Sequence, residues 1–303
     1  MTKASVTVLG GDLRGRWLAE YMEQQGHEVT CFHVMDFPLP ENSRFLEDRS
    51  LSTASTLKAA VSASHWILGP MPFSRDGVHL TTAAPAKEAG SQAPSQPAVT
   101  LAALADVLLP GQILAGGGIP EQFFLACARR QITVLDLLED EALTQANAVL
   151  TAEGLLSILI AKTSFSLVRR KFLILGFGRC GKEIARLLSF FSRDIFIYDK
   201  NPECMELAGT QGLGAFPGQW EDYDVVINTI PAQVLTEQQL ARLPAHCMLF
   251  DIASAPFGFH QQTAHDMGLT LIRCPGIPGA MMPKTAGEMI GRAVSERMLS
   301  HGF

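Results

Sequence analysis

The sequence has no Cys-x-x-Cys pair, and its six cysteines, at 31, 127, 180, 204, 247 and 274, are too scattered for metal-ligand spacing. This argues against a zinc site or a redox dithiol. It leaves the thiols as small buried hydrophobes of a reduced, cytoplasmic protein. The eight histidines fall into no triad-like or metal-like arrangement. Basic charge is also scarce: the net charge is -6, which argues against nucleic acid as a partner, because a phosphate backbone needs a basic face. The longest apolar run, Gly154 to Ala161, is too short to cross a bilayer. The chain starts directly on the strand-like Val6-Thr7-Val8-Leu9, so no signal peptide is expected. Neither a metal nor a membrane partner is anticipated.

The 303 residues are 47% hydrophobic and 18% charged, enough apolar material for two sizeable cores. The first half alternates strands and helices. Ser5–Gly10 reads as a strand, Leu13–Gln25 as a helix stopped by Gly26, and Glu28–His33, Trp66–Gly69, Gln112–Ala115 and Ile132–Leu135 as further strands, with a helix over Glu121–Arg130. A second series starts at Lys171, with strands at Phe172–Gly176, Ile195–Asp199, Val225–Thr229, Met248–Ile252 and Thr270–Cys274. Helices are expected at Arg179–Ser189, Pro202–Gly209, Thr236–Arg242, Phe259–Gly268 and Lys284–Leu299. Such alternation implies parallel sheets covered on both faces. The expected architecture is α/β: two doubly wound Rossmann-like domains with parallel sheets separated by a cleft. The N-terminal domain, 1–148, would serve substrate or partner, and 149–283 would bind nucleotide, with the last helix, 284–303, free to pack back on the first domain.

Two stretches are less regular. Thr81–Thr100 is rich in Ala, Pro, Ser and Gln and reads as an exposed loop. Ala142–Phe165 reads as one long helix or two abutting ones, apolar almost all round at its centre. That pattern fits burial between two domains or an ordinary core helix of the first domain.

The most informative motif is Phe172-Leu173-Ile174-Leu175-Gly176-Phe177-Gly178-Arg179-Cys180-Gly181. A lone Gly-x-Gly-x-x-Gly is weak, but here it follows a strand and opens a helix, the context a dinucleotide site requires. Gly176 suits the tight turn, Gly178 lets backbone approach a pyrophosphate, and Gly181 allows close helix–strand packing. Free amides and the positive helix end would then face the phosphates. Asp199 closes the next strand at the spacing where a carboxylate holds adenosine ribose hydroxyls, which favours NAD. Arg193 and Lys200 nearby keep NADP open. Three further strand ends should line the same crevice: Asn228-Thr229-Ile230-Pro231, Asp251-Ile252-Ala253-Ser254 and Pro275-Gly276-Ile277-Pro278-Gly279. Thr229 and Ser254 carry small hydroxyls suited to the nicotinamide end. In the first domain, Gly10-Gly11-Asp12 does not fit a dinucleotide turn, and Arg14 behind it is a candidate clamp for a carboxylate.

Taken together, several stretches resemble the dipicolinate synthase A-subunit family: Val8-Leu9-Gly10-Gly11-Asp12-Leu13-Arg14, Gly69-Pro70-Met71-Pro72-Phe73-Ser74-Arg75-Asp76-Gly77, the glycine motif, Ile227–Pro231, Asp251–Ser254 and Pro275–Gly287. The last is the most specific, since its prolines and glycines running into Pro283-Lys284-Thr285-Ala286-Gly287 are not generic to nucleotide-binding domains. The resemblance implies oxidation of a dihydrodipicolinate-type intermediate of the lysine pathway to pyridine-2,6-dicarboxylate with NAD or NADP. It also implies that a flavoprotein-like B-subunit is the partner, and that the protein works in the mother cell of a sporulating bacterium. Lys87–Pro97 departs from it, longer and more polar than the family leads one to expect. The sequence leaves association with copies of itself open.

A dicarboxylate substrate needs cations, and Arg14, Arg75 and Lys284 are the candidates. No general base stands out. Asp12, Glu139, Asp140 and Glu141 are acidic residues near element ends, and His33, His65 and His79 lie near loops of the first domain without a distinguishing pattern. A two-lobed 2-hydroxyacid dehydrogenase would need an arginine after the Met248–Ile252 strand and a histidine before the last helix. Those places read Ala253-Ser254-Ala255-Pro256 and Pro278-Gly279-Ala280-Met281. A non-catalytic nucleotide-binding module remains a third reading.

Overall fold

The computed structural model describes residues 3–34, 51–82 and 98–302. The expected Thr81–Thr100 loop falls largely, and the divergent Lys87–Pro97 stretch entirely, outside the described residues. The chain divides into two compact units, one of residues 1–144 and 283–303, the other of residues 145–282.

The first unit holds β1 (Ser5–Leu9), α1 (Leu13–Gln24), β2 (Glu28–Phe32), α2 (Leu57–Ser62), β3 (Trp66–Leu68), α3 (Leu101–Val107), β4 (Ile113–Gly116), α4 (Glu121–Arg129) and β5 (Thr133–Asp136). Its five strands pair in parallel in the order β2-β1-β3-β4-β5. The order reverses between β1 and β3, which makes the turns after those two strands the natural place for a ligand. All four residues of β4 are buried, the continuous apolar run of a sheet covered on both faces. The short α2 and α3 escaped the sequence reading because neither is long enough to show a helical period.

In the second unit the chain runs through α5 (Glu141–Lys162), β6 (Phe172–Leu175), α6 (Arg179–Leu188), β7 (Ile195–Tyr198), α7 (Pro202–Thr210), β8 (Gly214–Ala215), β9 (Val225–Asn228), α8 (Glu237–Leu240), β10 (Met248–Asp251), α9 (Gln261–Asp266), β11 (Thr270–Arg273) and α10 (Ile277–Met281). Its sheet order is β11-β10-β9-β6-β7-β8. Counted from β6 as first strand, this is the order of dinucleotide-binding domains, with the reversal between β6 and β9. Past the strand end expected at Pro275–Gly279, Ile277–Gly279 already forms the first turn of α10, entered through Gly276 at φ +69.

Helix α5 is single and 22 residues long. It is long and apolar enough to cross a membrane by length and composition alone, although the apolar run read in the sequence is shorter. Its Ala152, Leu155 and Leu159 lie instead in the core of the second unit, beside Phe172, Ile184 and Ile277. The alternative of a core helix of the first domain is therefore corrected beyond Thr144. Gly154 lets the helix pack closely there, since a Cβ on it would stand 2.2 Å from Ile277.

The last helix, α11 (Pro283–Ser300), belongs to the first unit. Ile290, Ala293, Val294 and Met298 share its core with Leu18, Ala19 and Met22 of α1. Two glycines allow α11 to lie against α1: a Cβ on Gly287 would press on Trp17 at 2.6 Å, and one on Gly291 on Tyr21 at 2.3 Å.

Candidate functional site

In the second unit the turn after β6 has the geometry its sequence requires. Gly176 sits at φ +94, where an L side chain is strained, and a Cβ there would also stand 2.4 Å from Thr229 Oγ1. Gly181, on the first turn of α6, presses so closely on the strand that a Cβ would be 2.1 Å from the carbonyl oxygen of Gly176. Gly178 differs from both. It is the N-cap of α6, makes no side-chain cap bond, and a Cβ built on it meets nothing within 4 Å. The amino end of a ten-residue helix thus presents uncapped amides to open space, the environment a diphosphate needs.

The flanking residues hold the turn rather than project from it. Phe177 is fully buried in the core. Cys180 is partly buried, and burial raises its pKa, so its thiol stays protonated at neutral pH. Asp199 was expected to await a ribose. Its Oδ2 accepts the amide proton of Phe177 at 2.7 Å and its Oδ1 that of Asn201 at 2.8 Å, so the carboxylate braces the glycine turn directly. Each oxygen retains a second lone pair for an outside hydroxyl.

Across the sheet reversal lies Thr229, just after β9. Its hydroxyl donates its proton to the carbonyl of Leu175 at 3.0 Å, the Thr229 amide donates to the same oxygen, and the hydroxyl oxygen keeps its lone pairs as acceptors. Ile230 lies over Gly176. Ser254 and Pro275 are exposed at the ends of their strands, as is Pro231. Cys274, at the end of β11, is pushed up to about 11 by burial, with the charge of Asp251 adding to the shift.

Beneath these strand ends lies a polar network that the sequence reading did not single out. Asn228 and Asp251, the last residues of β9 and β10, are fully buried. Asn228 Nδ2 donates to Asp251 Oδ1 at 2.8 Å, and its Oδ1 accepts from the Ile230 amide. Asp251 Oδ2 accepts from the amides of Gly258 and Phe259. The loops after both strands are therefore tied to one buried carboxylate. Gly258 must lack a side chain, because a Cβ would stand 2.1 Å from Asn228 Nδ2.

The first unit repeats the glycine turn with a different cap. Gly10 has φ +56, and Gly15, five residues on, packs so that a Cβ would be 2.9 Å from the Gly10 carbonyl oxygen. The same interval separates Gly176 from Gly181. Gly15 gives little signal in the sequence because the turn lacks the full three-glycine signature. Where the second unit has Gly178, this one has Asp12, whose carboxylate caps α1 through the Arg14 amide. Arg14 was expected to clamp a ligand. It clamps Asp12 bidentately instead, with Nε to Oδ1 and Nη2 to Oδ2 both at 2.8 Å, and Nη2 also donates to the Met71 carbonyl. Only 11% of its side chain is exposed. A cavity of about 20 Å³, room for one water, lies under this turn, between Gly10–Gly15 and Gly69–Met71.

Among the described residues the other two candidate cations make no such pair. Arg75 is exposed in the turn after β3. Lys284, in the first turn of α11, is exposed with its ammonium 5.1 Å from the centre of the Trp17 ring. A hollow of about 400 Å³ between α4, β5 and Arg297 includes none of the three cations; of the acidic residues considered, only Glu139 lines it. Asp140 pairs with Arg297 at 3.4 Å. His33 stacks on Phe32 with ring centres 4.0 Å apart, and burial lowers its pKa. Among the described residues no group of three or more His, Cys, Asp or Glu is placed to hold a metal.

Comparison with known proteins agrees with this organisation. Residues 5–138 match the family described as the N-terminal domain of the dipicolinate synthase A-subunit. A curated relative, the dipicolinate synthase A-subunit of Bacillus subtilis (strain 168), is 28% identical over 176 residues, which cover 56% of this chain and 59% of the relative's own length. Among solved structures, the dipicolinate synthase A-subunit from Bacillus halodurans superposes with a TM-score of 0.77 at 21% identity, covering 97% of each chain. A transhydrogenase from Sinorhizobium meliloti reaches 0.62 at 11% identity over 98% of this chain and 94% of its own. The fold is thus one shared with oxidoreductases. The resemblance seen in the sequence is borne out: residues 5–138 match the N-terminal domain of the dipicolinate synthase A-subunit family, and the chain as a whole has the fold of a solved dipicolinate synthase A-subunit.

Proposed function

We propose that this chain is the nicotinamide-nucleotide-binding subunit of a dipicolinate synthase, oxidising a dihydrodipicolinate-type intermediate of the lysine pathway to pyridine-2,6-dicarboxylate. The observation that carries the reading is the bare N-cap at Gly178, with open space where a side chain would stand. Gly176 through Gly181 would hold the diphosphate, and Asp199 the adenosine ribose. Thr229, Ile230, Pro231, Ser254 and Pro275 would border the nicotinamide. Bound there, the dinucleotide supplies a two-electron acceptor.

The work left to the protein is modest, because forming an aromatic ring from a dihydropyridine is strongly favourable. The residues must position reactants, exclude water and take up a proton. Arg75 and Lys284 remain the cations available to two substrate carboxylates, while Arg14 shapes the turn beside them through Asp12. Asp199 at the ribose position favours NAD. Exposed Arg193 and Lys200 supply the charge NADP would need. The reading includes a flavoprotein-like B-subunit as partner and work in the cytoplasm of the mother cell.

The test is direct. The purified chain is mixed with dihydrodipicolinate generated in situ and NAD or NADP, with and without the B-subunit, and dipicolinate absorbance is followed. Product that rises with nicotinamide reduction supports the proposal. Dinucleotide binding with no turnover in any pairing supports a regulatory module instead. Turnover of 2-hydroxy acids would support the two-lobed dehydrogenase, although no arginine stands at 253–256 and no histidine at 278–281.

A further inference from the structure

The turn after β3 contains a side-chain arrangement that the substrate cations do not explain. Asp76 Oδ2 lies 2.7 Å from His79 Nδ1. Its other oxygen, Oδ1, accepts the amide protons of Val78 and His79, both at 2.8 Å. Ser74 donates its hydroxyl to the His79 carbonyl at 2.7 Å and accepts from the Gly77 amide at 3.0 Å. The turn is further held by bridges pairing Ser74 with Leu80 and His79 with Thr100.

These contacts fix the chemistry of the ring. An ionised carboxylate only accepts, so a hydrogen bond from Nδ1 requires the proton there. The hydrogen bonds from His79 to Asp76 hold that carboxyl well below the usual carboxylate range, so it stays ionised. In the neutral ring Nε2 then carries the lone pair, and among the described residues no hydrogen bond engages it. A histidine oriented at Nδ1 by a carboxylate and open at Nε2 is the form a general base takes.

The turn is also tied to the sheet reversal of the first unit. The Gly11 amide donates to the Thr81 carbonyl at 2.9 Å, and Thr81 in turn donates its amide to Phe73. Arg14 reaches the Met71 carbonyl from the other side. Arg75 adjoins Asp76 in the chain. Asp76 and Arg75 are the charged residues of the turn, and the residue bridged to His79 from outside it, Thr100, is uncharged.

We propose that the Asp76–His79 pair is the proton acceptor of the first unit, with Nε2 of His79 as the basic atom and Arg75 beside it for a carboxylate of a ring dicarboxylate. This rests on the reaction assigned above. In that reaction one ring C–H bond breaks with its electron pair leaving as hydride to a nicotinamide. A neighbouring ring carbon loses a proton to Nε2, and the electron pair of that second C–H bond forms the new ring double bond. The resulting imidazolium is held by Asp76.

The test uses the full chain labelled with 15N on histidine. The His79 resonances are expected to report an Nδ1–H tautomer. They are expected to shift saturably on adding pyridine-2,6-dicarboxylate, with Arg75→Ala weakening that titration by roughly tenfold. His79→Gln is expected to lower kcat by ~10²–10⁴-fold with KM within about twofold. Asp76→Asn is expected to abolish the tautomer preference and to lower kcat with KM within about twofold. Resonances that do not move at any dipicolinate concentration, or a His79→Gln enzyme that keeps kcat within about twofold, would overturn the proposal. If wild-type chain makes no dipicolinate in any pairing, the assigned reaction fails, and the dipicolinate titration still decides for or against the pair.

Discussion

Asp199 Oδ2 accepts the Phe177 amide proton at 2.7 Å, so the residue proposed to read a ribose also braces the turn that would meet the phosphates. Removing it should therefore act twice. Asp199→Ala is expected to weaken NAD by roughly tenfold or more, since hydrogen bonds to charged groups are worth about 1.5–3 kcal/mol. NADP should weaken less, because its 2′-phosphate loses a repulsive neighbour. Calorimetric titration of both nucleotides checks this; equal losses would show that the carboxylate serves the turn alone.

The three glycines of the motif should respond differently to substitution. Gly178→Val places its side chain in open space and should leave the fold intact, at a capping cost of about 1 kcal/mol, while abolishing dinucleotide binding. Gly181→Ala drives a methyl into the Gly176 carbonyl and should destabilise the protein by about 1–3 kcal/mol. Thermal melts beside binding isotherms separate the two. Retained nucleotide affinity in Gly178→Val would remove the diphosphate from this turn.

Arg14 and Arg75 offer a similar contrast. Arg14→Ala leaves Asp12 without its bidentate partner and should lower the melting temperature. Arg75→Ala, on an exposed side chain with no ion pair among the described residues, should leave the melt unchanged and raise the KM for dihydrodipicolinate by roughly tenfold. A KM unaffected by Arg75→Ala would exclude it from the substrate.

Asp251→Ala should be among the most damaging single changes. It strips acceptors from Asn228 and from the amides of Gly258 and Phe259, all in buried surroundings. Leaving buried donors unpaired costs about 1–3 kcal/mol each. Denaturant titration reads the loss. A mild effect would mean that water replaces the carboxylate.

The Asp76 turn gives a pH dependence of defined sign. A carboxyl whose folded pKa is depressed contributes stability above its ordinary titration range and loses that contribution as pH falls through the folded value. Since the largest cause is the His79 side chain, the carboxyl of Asp76 should titrate at higher pH in His79→Gln than in wild type. Carbon-detected NMR of the Asp76 carboxyl follows both.

Much of this was legible in the residues. Long apolar strands such as Phe172–Leu175 and the glycine turn behind them carry their own signature, because each glycine answers a local steric demand. What escaped was set by partners distant in sequence. Asn228 and Asp251 lie 23 residues apart, and nothing in either neighbourhood announces a shared buried bond. Arg14 looked like a ligand clamp because its local partner, Asp12, was read separately as a loop acid. The hydroxyl of Thr229 looked free to donate because its acceptor, the Leu175 carbonyl, comes from another strand. Gly15 and the Asp76–His79 spacing were visible, but only to a reader who compared the two turns or looked for carboxylates beside each histidine.

The aspartate at the head of α1 has a stoichiometric consequence. Two near-copies of one strand–turn–helix device occur among the described residues, and of the two the one opened by Gly178 keeps its amino pole unfilled. The other is already filled from within by the Asp12 carboxylate, which takes the Arg14 amide and is itself held by the Arg14 side chain. A saturation experiment should therefore count a single dinucleotide per chain, and two would mean that the aspartate swings aside.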